Sequence, residues 1–239
     1  MSLIGVEIKK LEEEMRATEG WRIRSKLEIF SISIYTLQKN HEEIIRLLNQ
    51  YETDTNLAFK LSSVNNREDF VAFSSEVARL LHNYLASAMT LVDHTRNLFK
   101  AEYKDTQFEK EYDNKKEQSF VQSPVSGFVK DLRNYSLHKM LPITGATLDY
   151  DESGMSHSIF MPKDKLIDWD GWKSKAKEYL NTQGKKIVLL QLINEYTKIV
   201  FEFQAWFQEK QNEIHSDSMK ELEKLELEYS AKVKQAFPN

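Results

Sequence analysis

The sequence predicts a mainly α-helical protein, built as an up-and-down helical bundle with one inserted β-hairpin. Apolar residues recur at intervals of three and four residues over most of the chain, as on the buried face of a helix. Only 7 Gly and 4 Pro occur among the 239 residues, so few turns interrupt the elements. Charged residues make up 29% of the chain, which suits the solvated faces of amphipathic helices.

The N-terminal part, residues 5–67, is predicted to form helices. Over residues 5–50 the apolar positions follow a helical spacing. Gly20 is expected to interrupt the helix, and Thr18 is expected to act as a local cap at that point. Residues 51–67 are polar and indicate a short helix or a loop.

The core bundle is expected over residues 68–212. Its clearest helix covers 68–104, where the apolar positions hold the 3.6-residue period for about eight turns. Ser123 and Pro124 are typical of an N-cap followed by proline at the first helical position. The helix that starts there should stop before Pro142.

A β-hairpin is predicted directly after this helix, at about residues 144–161. Two weakly alternating segments flank the sequence Asp-Glu-Ser-Gly at 151–154, which is a favourable turn. Because an isolated hairpin is only marginally stable, we expect it to pack on the helices.

Three further helices complete the chain. Asp168 or Asp170 is expected to cap a helix that runs through Leu180. Residues 185–211 should form a long apolar helix, and residues 213–239 a charged amphipathic C-terminal helix.

Length and composition favour a single helical domain over residues 1–239. With no Cys, disulfides and thiolate metal sites are excluded, and a reducing compartment fits. With a net charge of -4, the chain lacks the overall positive field that nucleic-acid-binding proteins usually show. No apolar run approaches the roughly 20 residues that span a bilayer, and no signal pattern occurs at the N-terminus. We therefore expect a cytoplasmic protein without membrane contact.

One segment has residue types suited to chemistry, the run from Arg133 to His138. On a helix, Asn134 and His138 are four residues apart and share a face, and Arg133 lies about 100° around from Asn134. Lys130 and Lys139 add positive charge and are candidate phosphate-binding residues. Arginine can hold phosphate oxygens, and histidine can move a proton to or from a ribose hydroxyl near neutral pH. Such a phosphodiester reaction needs neither a metal nor a cofactor.

The sequence Arg133-Asn134-Tyr135-Ser136-Leu137-His138 resembles the motif of the HEPN superfamily, Arg-polar-x-x-x-His late in a helical bundle. The resemblance extends over about residues 68–210 in architecture and over six residues in motif. It implies a homodimer in which two motifs form one metal-independent endoribonuclease site. Arg133 and His138 would then be catalytic and Asn134 would support them. Many members are toxins or defence effectors, so RNA and an antitoxin or other protein are the expected partners.

Two alternatives stay open. The chain could be a noncatalytic HEPN-like module that binds a nucleotide or a protein, as members without catalysis do, or a structural helical protein. In the latter case His138 and Lys139 would interact with the helix dipole, and Arg133 would form an interface salt bridge.

Overall fold

The computed structural model of the chain describes residues 3–142, 144–151 and 154–238. Within these residues the fold is mainly helical, with nine α-helices and one three-stranded antiparallel sheet, which confirms the predicted fold class at that level. None of the described helices combines the length and apolarity that a membrane crossing requires.

In chain order the helices are α1 (Leu3–Ala17), α2 (Glu19–Thr53), α3 (Thr55–Ser62), α4 (Arg67–Glu102), α5 (Phe108–Lys116), α6 (Pro124–His138), α7 (Ser174–Thr182), α8 (Leu189–Ile214) and α9 (Ser216–Ala236). The strands are β1 (Gly145–Asp151), β2 (Gly154–Pro162) and β3 (Lys186–Val188). Short 3-10 segments occur at Val64–Asn66 and Lys163–Lys165, and a π-helical turn at Glu117–Val121 follows α5.

The chain divides into two compact units. One comprises the described residues up to Ile32 together with those from Gln204 onward, and the other is Ser33–Phe203. The expectation of a single domain over 1–239, with boundaries near 67 and 212, stays a prediction.

The first unit contains the pairing of α1 with α9. Thr18 Oγ1 accepts a hydrogen bond from the backbone N–H of Trp21 at 3.1 Å, so the predicted local cap is confirmed and the chain restarts as α2. A Cβ on Gly20 would lie 2.3 Å from the carbonyl oxygen of Ser218, so only glycine allows this close approach. Leu222 is the fully buried residue of α9.

The second unit contains the motif helix and is held by buried aromatic residues. The Tyr84 hydroxyl lies 2.7 Å from the Thr197 hydroxyl and joins α4 to α8. Phe99 and Tyr112 stack with ring centroids 3.7 Å apart, which fixes α5 on α4. Burial raises the pKa of Tyr112 to about 12, consistent with a ring that belongs to the core.

The two strands of the predicted hairpin are confirmed, and they belong to a larger sheet than expected, whereas the predicted turn includes residues 152 and 153, which lie outside the described residues. β1 and β2 pair antiparallel from Gly145 opposite Phe160 to Asp151 opposite Gly154. β2 also pairs with β3, with Phe160 opposite Val188. The expected helix over 185–211 is therefore wrong in its first turn. Ile187 and Val188 are β-branched residues that complete a ladder, and such tertiary pairing overrides local helical spacing.

The helix expected from Asp168 or Asp170 begins later, and neither Asp is its cap. α7 starts at Ser174, and Lys173 occupies the N-cap position without a side-chain cap of its own. Asp131 on α6 supplies an acceptor instead. Its Oδ2 accepts a hydrogen bond from the backbone N–H of Lys173. Sequence spacing cannot show a cap supplied by a distant residue.

Candidate functional site

The motif lies on α6, whose start follows the predicted signals. Ser123 Oγ accepts a hydrogen bond from the backbone N–H of Ser126 at 3.3 Å, and Pro124 occupies the first turn. The residues buried along this helix are Val125, Ser126, Phe128, Val129, Asp131, Leu132 and Tyr135. They form a broad face, because the helix packs on α4, α7 and the turn before it.

Gly127 brings α6 unusually close to α7. A Cβ at this position would lie 2.5 Å from Cβ of Lys175 and 3.3 Å from the backbone nitrogen of Ala176. Asp131, one turn later, is 1% exposed and accepts the Lys173 N–H at 2.7 Å. These two contacts fix the height and rotation of α6, and hence the directions of the motif side chains.

Tyr135, in the middle of the motif, belongs to an aromatic cluster. Its ring is nearly parallel to that of Trp172 at 5.8 Å and meets Trp169 edge to face at 5.4 Å. Phe128, two turns earlier, stacks on Trp172 and Tyr179 at 5.2 and 4.8 Å. Burial raises the pKa of Tyr135, consistent with a ring that belongs to the core.

The predicted site residues lie outside this buried face. Arg133 and Asn134 are half-buried and His138, the last residue of the helix, is exposed. In the part of the chain that the structure describes, none of these three side chains has a hydrogen bond or ion pair. Lys130 and Lys139 are exposed as well. The predicted residues are thus available to a ligand or to another chain.

A single helix does not bring Arg133 and His138 to one point. At 3.6 residues per turn, five positions separate their directions by about 140°. Asn134 lies between them, about 40° from His138. The backbone of one copy therefore directs the three side chains around a curved surface, and the long Arg133 side chain would have to swing toward the face shared by Asn134 and His138 to join them.

The C-terminal end of α6 sets where His138 points. The backbone N–H groups of Lys139 and Met140 both bond to the carbonyl of Tyr135, at 2.9 and 3.3 Å. The helix consequently stops directly after His138, with the side chain at the negative end of the helix dipole. The alternative in which His138 only stabilises the helix end through the dipole requires the same position.

An apolar surface that the sequence reading missed adjoins the motif. Leu137, Met140 and Leu141 are 48%, 48% and 44% exposed. The three apolar residues within five positions are visible in the sequence, although α6 ends at His138 and no helical stripe connects Leu137 to Met140 and Leu141. Because it lies beside unpaired polar residues, this surface is a candidate for contact with a second protein surface.

No group of three or more His, Asp or Glu side chains suited to a metal ion occurs among the described residues. In comparisons of the chain with known proteins, no family model matches, no curated protein matches and no solved structure matches.

Proposed function

We propose that the chain is a HEPN-like, metal-independent endoribonuclease that works as a homodimer, with Arg133 and His138 of both copies forming one site. The observation that carries this proposal is that the proposed site residues make no internal contacts through their polar groups in the described part of the chain. The side chains of Arg133, Asn134 and His138 are unpaired within the described residues, whereas the intervening Tyr135 is packed into the core and Ser136 bonds to the carbonyl of Leu132. A motif kept only for stability would be expected to use these side chains in internal contacts.

The charges around the motif support an anionic ligand. Lys130, Arg133 and Lys139 lie within ten residues, and all three are at least partly exposed. Asp131 is the acidic residue within this stretch, and its carboxylate points into the protein toward Lys173. The charged side chains that residues 130–139 themselves expose are therefore positive in a chain of net charge -4, which favours a phosphate on this segment.

The chemistry follows from the two side-chain types. One neutral His138 would take the proton of the ribose 2′-hydroxyl, whose oxygen attacks the adjacent phosphorus. The bond from phosphorus to the 5′-oxygen then breaks, and the protonated His138 of the second copy donates a proton to that leaving oxygen. Arg133 would hold the non-bridging oxygens as negative charge builds up on them. The products are a 2′,3′-cyclic phosphate and a 5′-hydroxyl.

Two features support a site composed from two copies. Arg133 and His138 diverge by about 140° on one helix, which fits a site that a second helix end completes. Leu137, Met140 and Leu141 give that second copy an apolar surface to cover. As in toxin and defence members of the superfamily, a second protein such as an antitoxin would then restrain the activity.

The test is RNA cleavage by the purified protein in the presence of EDTA. Wild type is expected to cleave, and Arg133→Ala and His138→Ala to lose at least about a hundredfold in rate. Asn134→Ala should retain part of the activity, since it supports the site. Exposed Arg67 and half-buried His82, both on α4, provide matched controls as Arg67→Ala and His82→Ala.

Unchanged cleavage in Arg133→Ala and His138→Ala would contradict the assignment, as would activity that EDTA abolishes. If wild type binds RNA but does not cleave it, the result favours the alternative that the chain is a noncatalytic binding module. Circular dichroism of each variant checks that the helical fold persists. We expect it to persist, since substitutions at these unpaired positions should change the free energy of unfolding by no more than about 0.5 kcal/mol.

A further inference from the structure

We propose that Trp169 is the surface on which an unpaired base of single-stranded RNA stacks, next to the bond that is cleaved. This inference rests on the proposed function and adds its substrate class. Trp169 lies in the loop between the sheet and α7, close to the motif helix in space though more than thirty residues from it in sequence.

The position of Trp169 relative to His138 is given by Tyr135. The Trp169 and Tyr135 rings meet edge to face, with centroids 5.4 Å apart. Tyr135 and His138 are three residues apart on α6, so they are neighbours on the helix surface, with about 5–6 Å between their Cβ atoms. The indole therefore contacts a residue that lies one helical turn before the proposed catalytic histidine.

The indole is held rigidly without being fully buried. Trp172 packs against it edge to face at 4.8 Å. Its six-membered ring lies directly over Gly171, where an added Cβ would be 2.2 Å from Cζ2. Trp169 is nevertheless partly exposed, and its Nε1 has no hydrogen-bond partner among the described residues. By contrast, Nε1 of Trp172 donates a hydrogen bond to the carbonyl of Leu166. A fixed aromatic surface costs little entropy when a ligand stacks on it.

The charges of the loop indicate which part of RNA it would receive. Asp168 and Asp170 are exposed on either side of Trp169. They disfavour a phosphate here, whereas the exposed Lys139, next to His138 at the end of α6, favours one. Carboxylates can accept hydrogen bonds from the amino groups of bases. The phosphate thus belongs on the helix, and the base belongs on the loop.

A base available to the indole must be unstacked, which restricts the substrate to single strands, loops or ends. In a duplex the same base would be covered by its neighbours, and extruding it would cost unpairing and unstacking energy. We therefore expect single-stranded RNA to be bound and cleaved in preference to a matched duplex.

The experiment measures binding of a fluorescein-labelled single-stranded RNA 12-mer, and of the same sequence as a duplex, by anisotropy. His138→Ala serves as the parent so that no RNA is cleaved during the titration. Adding Trp169→Ala should weaken single-strand binding by between about fivefold and a hundredfold, whereas Trp169→Phe should stay close to the parent. Trp21→Ala, at a partly exposed tryptophan of the other compact unit, is the matched control and should leave binding unchanged.

Equal binding by the parent and the Trp169→Ala protein would overturn the inference, as would a Trp169→Phe protein as weak as Trp169→Ala. Parallel cleavage by wild type separates the two proposals. If wild type cleaves RNA and Trp169→Ala has no effect on binding, the stacking surface is wrong and the ribonuclease stands. If wild type does not cleave but binding depends on an aromatic residue at 169, the surface stands without catalysis. A parent that binds no RNA contradicts both.

Discussion

The carboxylate of Asp131 accepts a hydrogen bond from the backbone N–H of Lys173 at 2.7 Å, although the two residues are 42 positions apart. This bond satisfies the backbone N–H of the N-cap residue of α7, whose own side chain makes no cap bond. It also ties the helix that carries Arg133 and His138 to the rest of its unit. Asp131 is therefore a structural residue within the motif helix and not a further member of the site.

Asp131→Ala should lower the free energy of unfolding by about 1.5–3 kcal/mol, because it removes a charged acceptor and leaves the Lys173 N–H without a partner. Asp131→Asn keeps an acceptor oxygen and should lose less. Urea unfolding at 25 °C measures both. A loss for Asp131→Ala below about 0.5 kcal/mol would show that the bond does not hold the helices together.

Tyr51→Phe should destabilise the protein by about 1 kcal/mol. The fully buried Tyr51 hydroxyl donates to the carbonyl of Thr147 at 3.1 Å, which joins α2 to strand β1. Tyr150→Phe is a matched control, since Tyr150 on the same strand is 86% exposed and should be silent. Thermal or urea unfolding gives the comparison, and equal stability of the two variants would contradict a role for this bond.

His41 should make the protein less stable in acid. Burial lowers the pKa of His41 below its ordinary value of 6.5, and interaction with Asn194 only partly opposes this shift. The unfolded chain then binds the proton more readily, so the contribution of His41 is fully present above about pH 6.5 and is lost as the pH falls through its folded pKa.

The urea midpoint should accordingly fall more between pH 7.5 and pH 5 in wild type than in His41→Gln, which cannot titrate at this position. Other titrating groups are common to both proteins and cancel in the comparison. Parallel declines in the two proteins would mean that His41 is not buried in its neutral form.

The sequence predicted those parts of the fold that depend on local signals. The break at Thr18, the start of α6 at Ser123 and Pro124, and the hairpin all involve caps, proline or turn residues within a few positions of the element. The strand at Lys186–Val188 was missed because it is defined by its partner on β2. The start of α7 was misplaced for a similar reason, since its acceptor is Asp131 on another helix.

The candidate site was predicted as a motif, and its surroundings were not. Residue types and helical spacing placed Arg133, Asn134 and His138 together on one short segment. The aromatic cluster beneath them could not be foreseen, because it brings Trp169 and Trp172 against Tyr135 from a loop beyond the sheet. Such contacts depend on the tertiary fold, which periodicity does not specify.

If Arg133 and His138 cleave a phosphodiester as proposed, the phosphorus is transferred to the neighbouring ribose hydroxyl. The measurement that decides this is mass spectrometry of the products from a defined RNA oligonucleotide digested in EDTA. We expect fragments ending in a 2′,3′-cyclic phosphate paired with fragments that begin with a 5′-hydroxyl, and none from His138→Ala. Fragments with a 3′-hydroxyl and a 5′-phosphate, or cyclic-phosphate products that persist in His138→Ala, would contradict it.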